Sequence, residues 1–113
     1  MNIMVVKPAP DIQVKLRQII KAGSYPHIKS ARLFCFRSQG SSARARARIW
    51  AFPKIWQMAL KIEPAYVIEV LSEKFDHLSE TEKTRVLVHE LAHIPKNFSG
   101  SLLPHWRRLF KNL

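Results

Sequence analysis

The sequence predicts an α+β fold: an N-terminal helix, a small mixed sheet of three or more strands, a longer helix in the second half and a short C-terminal helix. Three observations carry that prediction. Ile12, Leu16, Ile19 and Ile20 follow helical apolar spacing. Short aromatic and β-branched runs separated by turn residues fill the middle of the chain. A capped amphipathic segment then begins at Ser79. At 113 residues and 47% apolar composition, the chain is expected to form one domain over residues 1–113.

In the first helix Asp11 is expected as the cap and Gly23 as the closing residue. Residues 31–37 read as a strand and 38–42 as the turn after it. The next strand is expected over 43–50, where Arg44, Arg46 and Arg48 alternate with alanines, so an extended chain would place three guanidinium groups on one face. Pro53 ends it, and 54–60 fits either a short helix or a bend. Trp50 and Trp56 are read as core residues, with base stacking as the alternative. Residues 65–71 are the clearest strand. Ser79 and Glu82 form a capping box, and Pro95 disfavours helix through Ile94. Leu87, Val88 and Leu91 should face the core, with Val86, His89, Glu90 and His93 on the opposite side.

Composition excludes several function classes. No apolar run approaches the roughly 20 residues of a membrane helix, and residues 1–21 lack the pattern of a secretory leader, so a cytoplasmic protein without a membrane partner is expected. Cys35 is the one cysteine, which rules out an internal disulfide and a cysteine-rich zinc cage. The net charge of +11 is concentrated in residues 1–62, which hold twelve basic side chains and one acidic; residues 63–113 hold seven of each. That asymmetry points to DNA or RNA as a partner of the first half, with Arg44, Arg46 and Arg48 as contacts; an ordinary solvated surface is the alternative.

The strongest motif is His89-Glu90-Leu91-Ala92-His93. Histidines four apart lie on one side of a helix and can share a Zn²⁺ ion, and the glutamate one position round can act as general base toward a water that the zinc acidifies. Downstream of His93 there is no Asp, Glu or Cys, which leaves His105 as the third ligand available there. Pro95, Gly100 and Pro104 give the intervening loop enough turns to come back over the helix. His27 and His77 are upstream competitors for the same role. Tyr66, His77, Arg107 and Arg108 are all chemically able to stabilise an oxyanion.

From Arg48 onward the chain resembles a family of small metallopeptidases found in phages and archaea. The resemblance is carried by Arg48-Ile49-Trp50, Pro53 to Gln57, Pro64 to Val70, Ser72 to Asp76 and His89 to Gly100, ending at His105. More distantly it is similar to the minimal zincins of the SprT-like and WLM groups, which are linked to proteolysis on DNA. The resemblance implies a zincin-like fold, His89, His93 and His105 as zinc ligands, Glu90 as general base, and a protein or peptide substrate. It also gives the Tyr66–Leu71 strand a possible role as an edge that holds extended peptide, an interior position being the alternative. A zinc-dependent RNA hydrolase and a non-catalytic, zinc-stapled nucleic-acid-binding domain are the rival readings.

Overall fold

The structure is a computed structural model that describes residues 3–104. Its element order is β1 (Val5–Pro8), α1 (Pro10–Ala22), β2 (Leu33–Gln39), β3 (Ala47–Trp50), α2 (Lys54–Leu60), β4 (Tyr66–Leu71), α3 (Ser72–Phe75) and α4 (Glu80–Leu91). The four strands form one sheet in the order β1-β2-β4-β3. β2 and β4 run parallel at its centre, with Leu33 opposite Tyr66, and each carries an antiparallel edge strand outside it. This is the expected α+β class with a mixed sheet. The expected C-terminal helix lies outside the described residues.

One face of the sheet holds the core. Leu33, Cys35, Ala47, Tyr66, Ile68 and Val70 pack there against Ile12 and Leu16 of α1 and Leu87 and Leu91 of α4. The alternation of strand side chains sends Phe34 and Trp50 to the other face, where they are partly exposed. Trp50 and Trp56, expected in the core, are 49% and 57% exposed. Apolar character alone does not bury a residue when the element it sits on has only one covered face. Burial pushes the Cys35 thiol up to about 12, so it serves as a small core residue.

Several boundaries differ from expectation for identifiable reasons. α1 starts one residue before Asp11: Ala9 is the N-cap, without a side-chain capping bond, and Pro10 occupies the first turn, where its missing N–H costs nothing. Asp11 instead bonds Arg37 of β2 at 2.9 and 3.0 Å. Gly23 does close α1, donating its N–H to the Ile19 carbonyl. β1 carries no alternation and was not expected; all four of its residues are exposed, and Pro8 is tolerated because the strand is an edge. β2 begins after a single 3₁₀ turn at Ser30–Arg32 and extends through Ser38 and Gln39, which read as turn residues. β3 is half as long as expected, since residues 41–46 are irregular.

Candidate active site

Helix α4 forms with the expected cap and the expected core residues Leu87 and Leu91, but Val86, expected on the opposite side, packs against the core, and Val88, expected in it, is only half-buried. The Ser79 hydroxyl oxygen accepts the Glu82 N–H at 3.2 Å, capping the first turn, and Leu87 and Leu91 enter the core. The helix ends at Leu91, so His89 and Glu90 occupy its last turn and His93 the turn that follows. That turn keeps helical direction, because the N–H groups of Ala92 and His93 reach the carbonyls of Val88 and Glu90 at 3.1 Å. The two imidazoles therefore still converge: their centroids are 5.5 Å apart with the ring planes at 75°. Two imidazoles on one tetrahedral zinc have centroids about 5 Å apart, given Zn–N bonds of about 2.0–2.1 Å. The pair fits such an ion.

His93 is further oriented by the chain that returns from Pro95. Its Nδ1–H donates to the Leu103 carbonyl at 2.8 Å, while the Leu103 N–H donates to the His93 carbonyl at 2.7 Å. A carbonyl can only accept, so Nδ1 carries the proton and Nε2 keeps the lone pair a metal requires. The loop between is anchored from below. The Tyr66 hydroxyl accepts the Gly100 N–H and donates to the Ser101 carbonyl, both at 2.8 Å. Gln57 of α2 donates to the Phe52 and Ser99 carbonyls at 2.8 Å, and the Phe52 N–H reaches the Gly100 carbonyl at the same distance. Gly100 has φ of 93°, and a Cβ there would run into the Phe52 carbonyl. The role of Tyr66 and Gln57 as anchors of this loop had no signal in the sequence, since the loop residues they hold lie 34 to 42 residues away. Tyr66 is thereby committed to supporting the loop, with its hydroxyl already bonded on both sides.

Glu90 is only 8% exposed, and burial pushes its carboxyl up to about 7, with a hydrogen bond from the Ile49 N–H acting in the opposite direction. It lies on a cleft of about 290 Å³ lined also by His89, Val86 and Arg85 of α4, Ala47 of β3 and Arg46. Strand β3 thus forms one wall. The sequence left open whether Tyr66–Leu71 is an edge; it is interior, between β2 and β3, and β3 is the edge beside α4. The Leu71 N–H bonds the Arg46 carbonyl, which fixes Arg48 and Trp50 as the residues facing β4 and turns the backbone groups of Ala47 and Ile49 outward.

The three arginines do not share a face. Arg46 sits at the bend before β3 and lines the cleft, Arg44 lies in the irregular segment, and Arg48 points to the opposite side of the sheet. There its guanidinium bonds the buried Glu69 carboxylate at 2.8 Å, and the Trp50 indole N–H donates to the same carboxylate at 2.9 Å. The local sequence around Arg48 contains no acid, but the strand pairing supplies one from 21 residues away.

Among the described residues no group of three or more His, Cys, Asp and Glu side chains could hold a metal, so neither His27 nor His77 joins the histidine pair. His105 lies outside the described residues. Arg107 and Arg108 lie there too. Among the described residues, no helix is long and apolar enough to cross a membrane. Comparison with curated proteins and with solved structures gives no match. The family model described as "Putative phage metallopeptidase" matches residues 5–112, and the chain belongs to that family.

Proposed function

We propose that the chain is a single zinc-dependent metallopeptidase domain in which His89, His93 and His105 hold the metal and Glu90 is the general base. The observation that carries this reading is the convergence of the two imidazoles beside a buried carboxylate, with His93 fixed in the tautomer that offers Nε2. His105 completes the donor set by elimination: residues 105–113 contain no other His, Cys, Asp or Glu, and Leu103, two residues earlier, is already bonded to His93. When bound, zinc supplies the Lewis acidity that makes water a nucleophile near neutral pH.

The remaining chemistry belongs to the chain. The outward N–H and carbonyl groups of Ala47 and the carbonyl of Ile49 can pair with an extended peptide, laying its scissile amide along the cleft. Glu90 takes the proton of the attacking water and delivers it to the departing amine. Its hydrogen bond to the Ile49 N–H ties the base to the strand that holds the substrate.

Two measurements test this. Zinc content should be one ion per chain, lost in His89→Ala, His93→Ala and His105→Ala and retained in His27→Ala and His77→Ala. Glu90→Gln should retain zinc while hydrolysis of denatured protein falls about 10²–10⁴-fold. Zinc retained in His105→Ala, or near-normal turnover in Glu90→Gln, would refute the assignment.

A further inference from the structure

The cleft beside His89 and Glu90 carries a second chemical feature. Two of its lining residues are arginines from different elements: Arg46 immediately precedes β3, and Arg85 lies one turn before His89 on α4. Both are exposed, and among the described residues neither takes part in an ion pair.

The chain's own acids do not supply a counter-charge. Asp11 and Asp76 are bonded to Arg37, Glu69 to Arg48, and Glu80 to Lys15 and Lys83. Glu73 accepts the Gly40 N–H, Glu82 accepts the Ser79 hydroxyl, and Glu63 takes part in no ion pair among the described residues. Glu90 lines the same cleft, yet pairs with neither arginine. No Asp or Glu occurs outside the described residues. Two arginines lining one cleft, neither ion-paired with an acid of the chain among the described residues, are suited to an external planar anion held by charge-assisted bonds.

We propose that Arg46 and Arg85 form a carboxylate-binding subsite, so that favoured substrates are peptides carrying a negative charge close to the bond cut. The inference rests on the peptidase reading and adds the substrate class to it. The placement explains why a carboxylate and not any distant charge is selected: Arg46 adjoins Ala47, whose outward backbone groups face the substrate, and Arg85 shares a helix face with His89. An Asp or Glu side chain and a free peptide C-terminus present the same group, and both are accommodated by this chemistry.

The test uses the zinc-loaded full chain and matched synthetic peptides of otherwise neutral sequence. One set carries Glu or Gln at each position within three residues of the expected cut; a second compares a free C-terminus with its amide. Charged hydrogen bonds of this kind correspond to about a tenfold to hundredfold preference in kcat/KM. The expected result is that preference for Glu over Gln, or for the free terminus over the amide, with the ratio falling toward one in the Arg46→Gln/Arg85→Gln double variant. Which set shows the preference identifies the source of the carboxylate. Cleavage with no preference in either set overturns the subsite and leaves the peptidase reading standing.

If no peptide is cleaved, the peptidase reading fails, and fluorescence anisotropy with the same peptides labelled decides the subsite separately. Tighter binding of the carboxylate peptide, lost in the double variant, upholds it; equal binding of all peptides overturns it. A short single-stranded RNA serves as the competing anion. If the RNA binds through both arginines while the peptides are not distinguished, the pair is a phosphate site and the proposal is wrong.

Discussion

The two flanks of the cleft are held very differently. On the His93 side, the return chain 95–104 is fastened at Ser99, Gly100, Ser101 and Leu103 by bonds of 2.7 to 2.8 Å, and Phe98 packs edge-on against Tyr66 at 5.0 Å. On the Arg46 side, residues 41–46 are held by the Ala43 N–H to the Ser41 hydroxyl at 3.2 Å and the Leu71 N–H to the Arg46 carbonyl at 2.9 Å. A metal site requires fixed ligands, because a small error in placement weakens every bond to the ion. A flank that meets varied peptides gains from side chains that can adjust. The difference in anchoring is what the proposed division between a metal-holding and a substrate-holding wall requires.

The largest effect on that contrast is expected at Gly100. A left-handed backbone costs a residue with a Cβ about 1–2 kcal/mol, and here the added Cβ also meets the Phe52 carbonyl. Gly100→Ala should lower stability by at least that amount and weaken zinc binding more than tenfold, as read by metal competition. If zinc affinity is unchanged while stability falls, the loop is a structural support without influence on the site.

Tyr66→Phe should come next. It removes the hydroxyl that satisfies the Gly100 N–H and the Ser101 carbonyl, and an unsatisfied buried group costs about 1–3 kcal/mol. Urea denaturation measures the loss, and a parallel decrease in zinc affinity links it to His93. The variant keeps the ring contact with Phe98, so the two effects report the hydroxyl alone.

This difference between flanks also governs what could be read in advance. The capping box at Ser79, the core pair Leu87 and Leu91 and the convergence of His89 with His93 depend on helix periodicity, which is local and survives an error of one or two residues in where the helix ends. The arginine pattern depends on where a strand begins. β3 starts at Ala47, not Ala43, so the alternation of Arg44, Arg46 and Arg48 never becomes a shared face. The Glu69 partner of Arg48 and the Tyr66 and Gln57 anchors are set by sheet order, which no local pattern encodes. Edge strand β1 was illegible for a related reason: with every residue exposed it carries no hydrophobic alternation.

Arg48→Gln sharpens the comparison on the other side of the sheet. Burial alone would raise the Glu69 carboxyl, but the bonds from Arg48 and Trp50 outweigh it and hold it below the ordinary carboxylate range. A group whose folded pKa is depressed adds stability above its unfolded value, and that stability disappears as pH falls through the folded value. Because Arg48 is partly exposed, the pair contributes about 1 kcal/mol at neutral pH. The gap between wild type and Arg48→Gln in urea should therefore be widest at neutral pH and close progressively below about pH 4.5. A gap that persists undiminished in acid would show that packing of the Arg48 stem, and not its charge, is responsible.

The smallest effect is expected at Arg44, which is exposed and forms no ion pair among the described residues. Arg44→Gln should change stability by no more than about 0.5 kcal/mol. The same position offers a sensitive check on whether the three arginines act together. Each phosphate contact to a single strand contributes about 0.7 to the slope of log K against log[salt], so three contacts would give a flattening of roughly 2 in the triple Gln variant. Arg48 is already neutralised by Glu69, leaving at most Arg44 and Arg46 and a flattening of no more than about 1.4. Titration of a short RNA at several salt concentrations distinguishes the two values. A slope change of 2 or more, with Arg48→Gln alone contributing its share, would mean that Arg48 leaves Glu69 to meet the phosphate and that the arginine flank rearranges on binding.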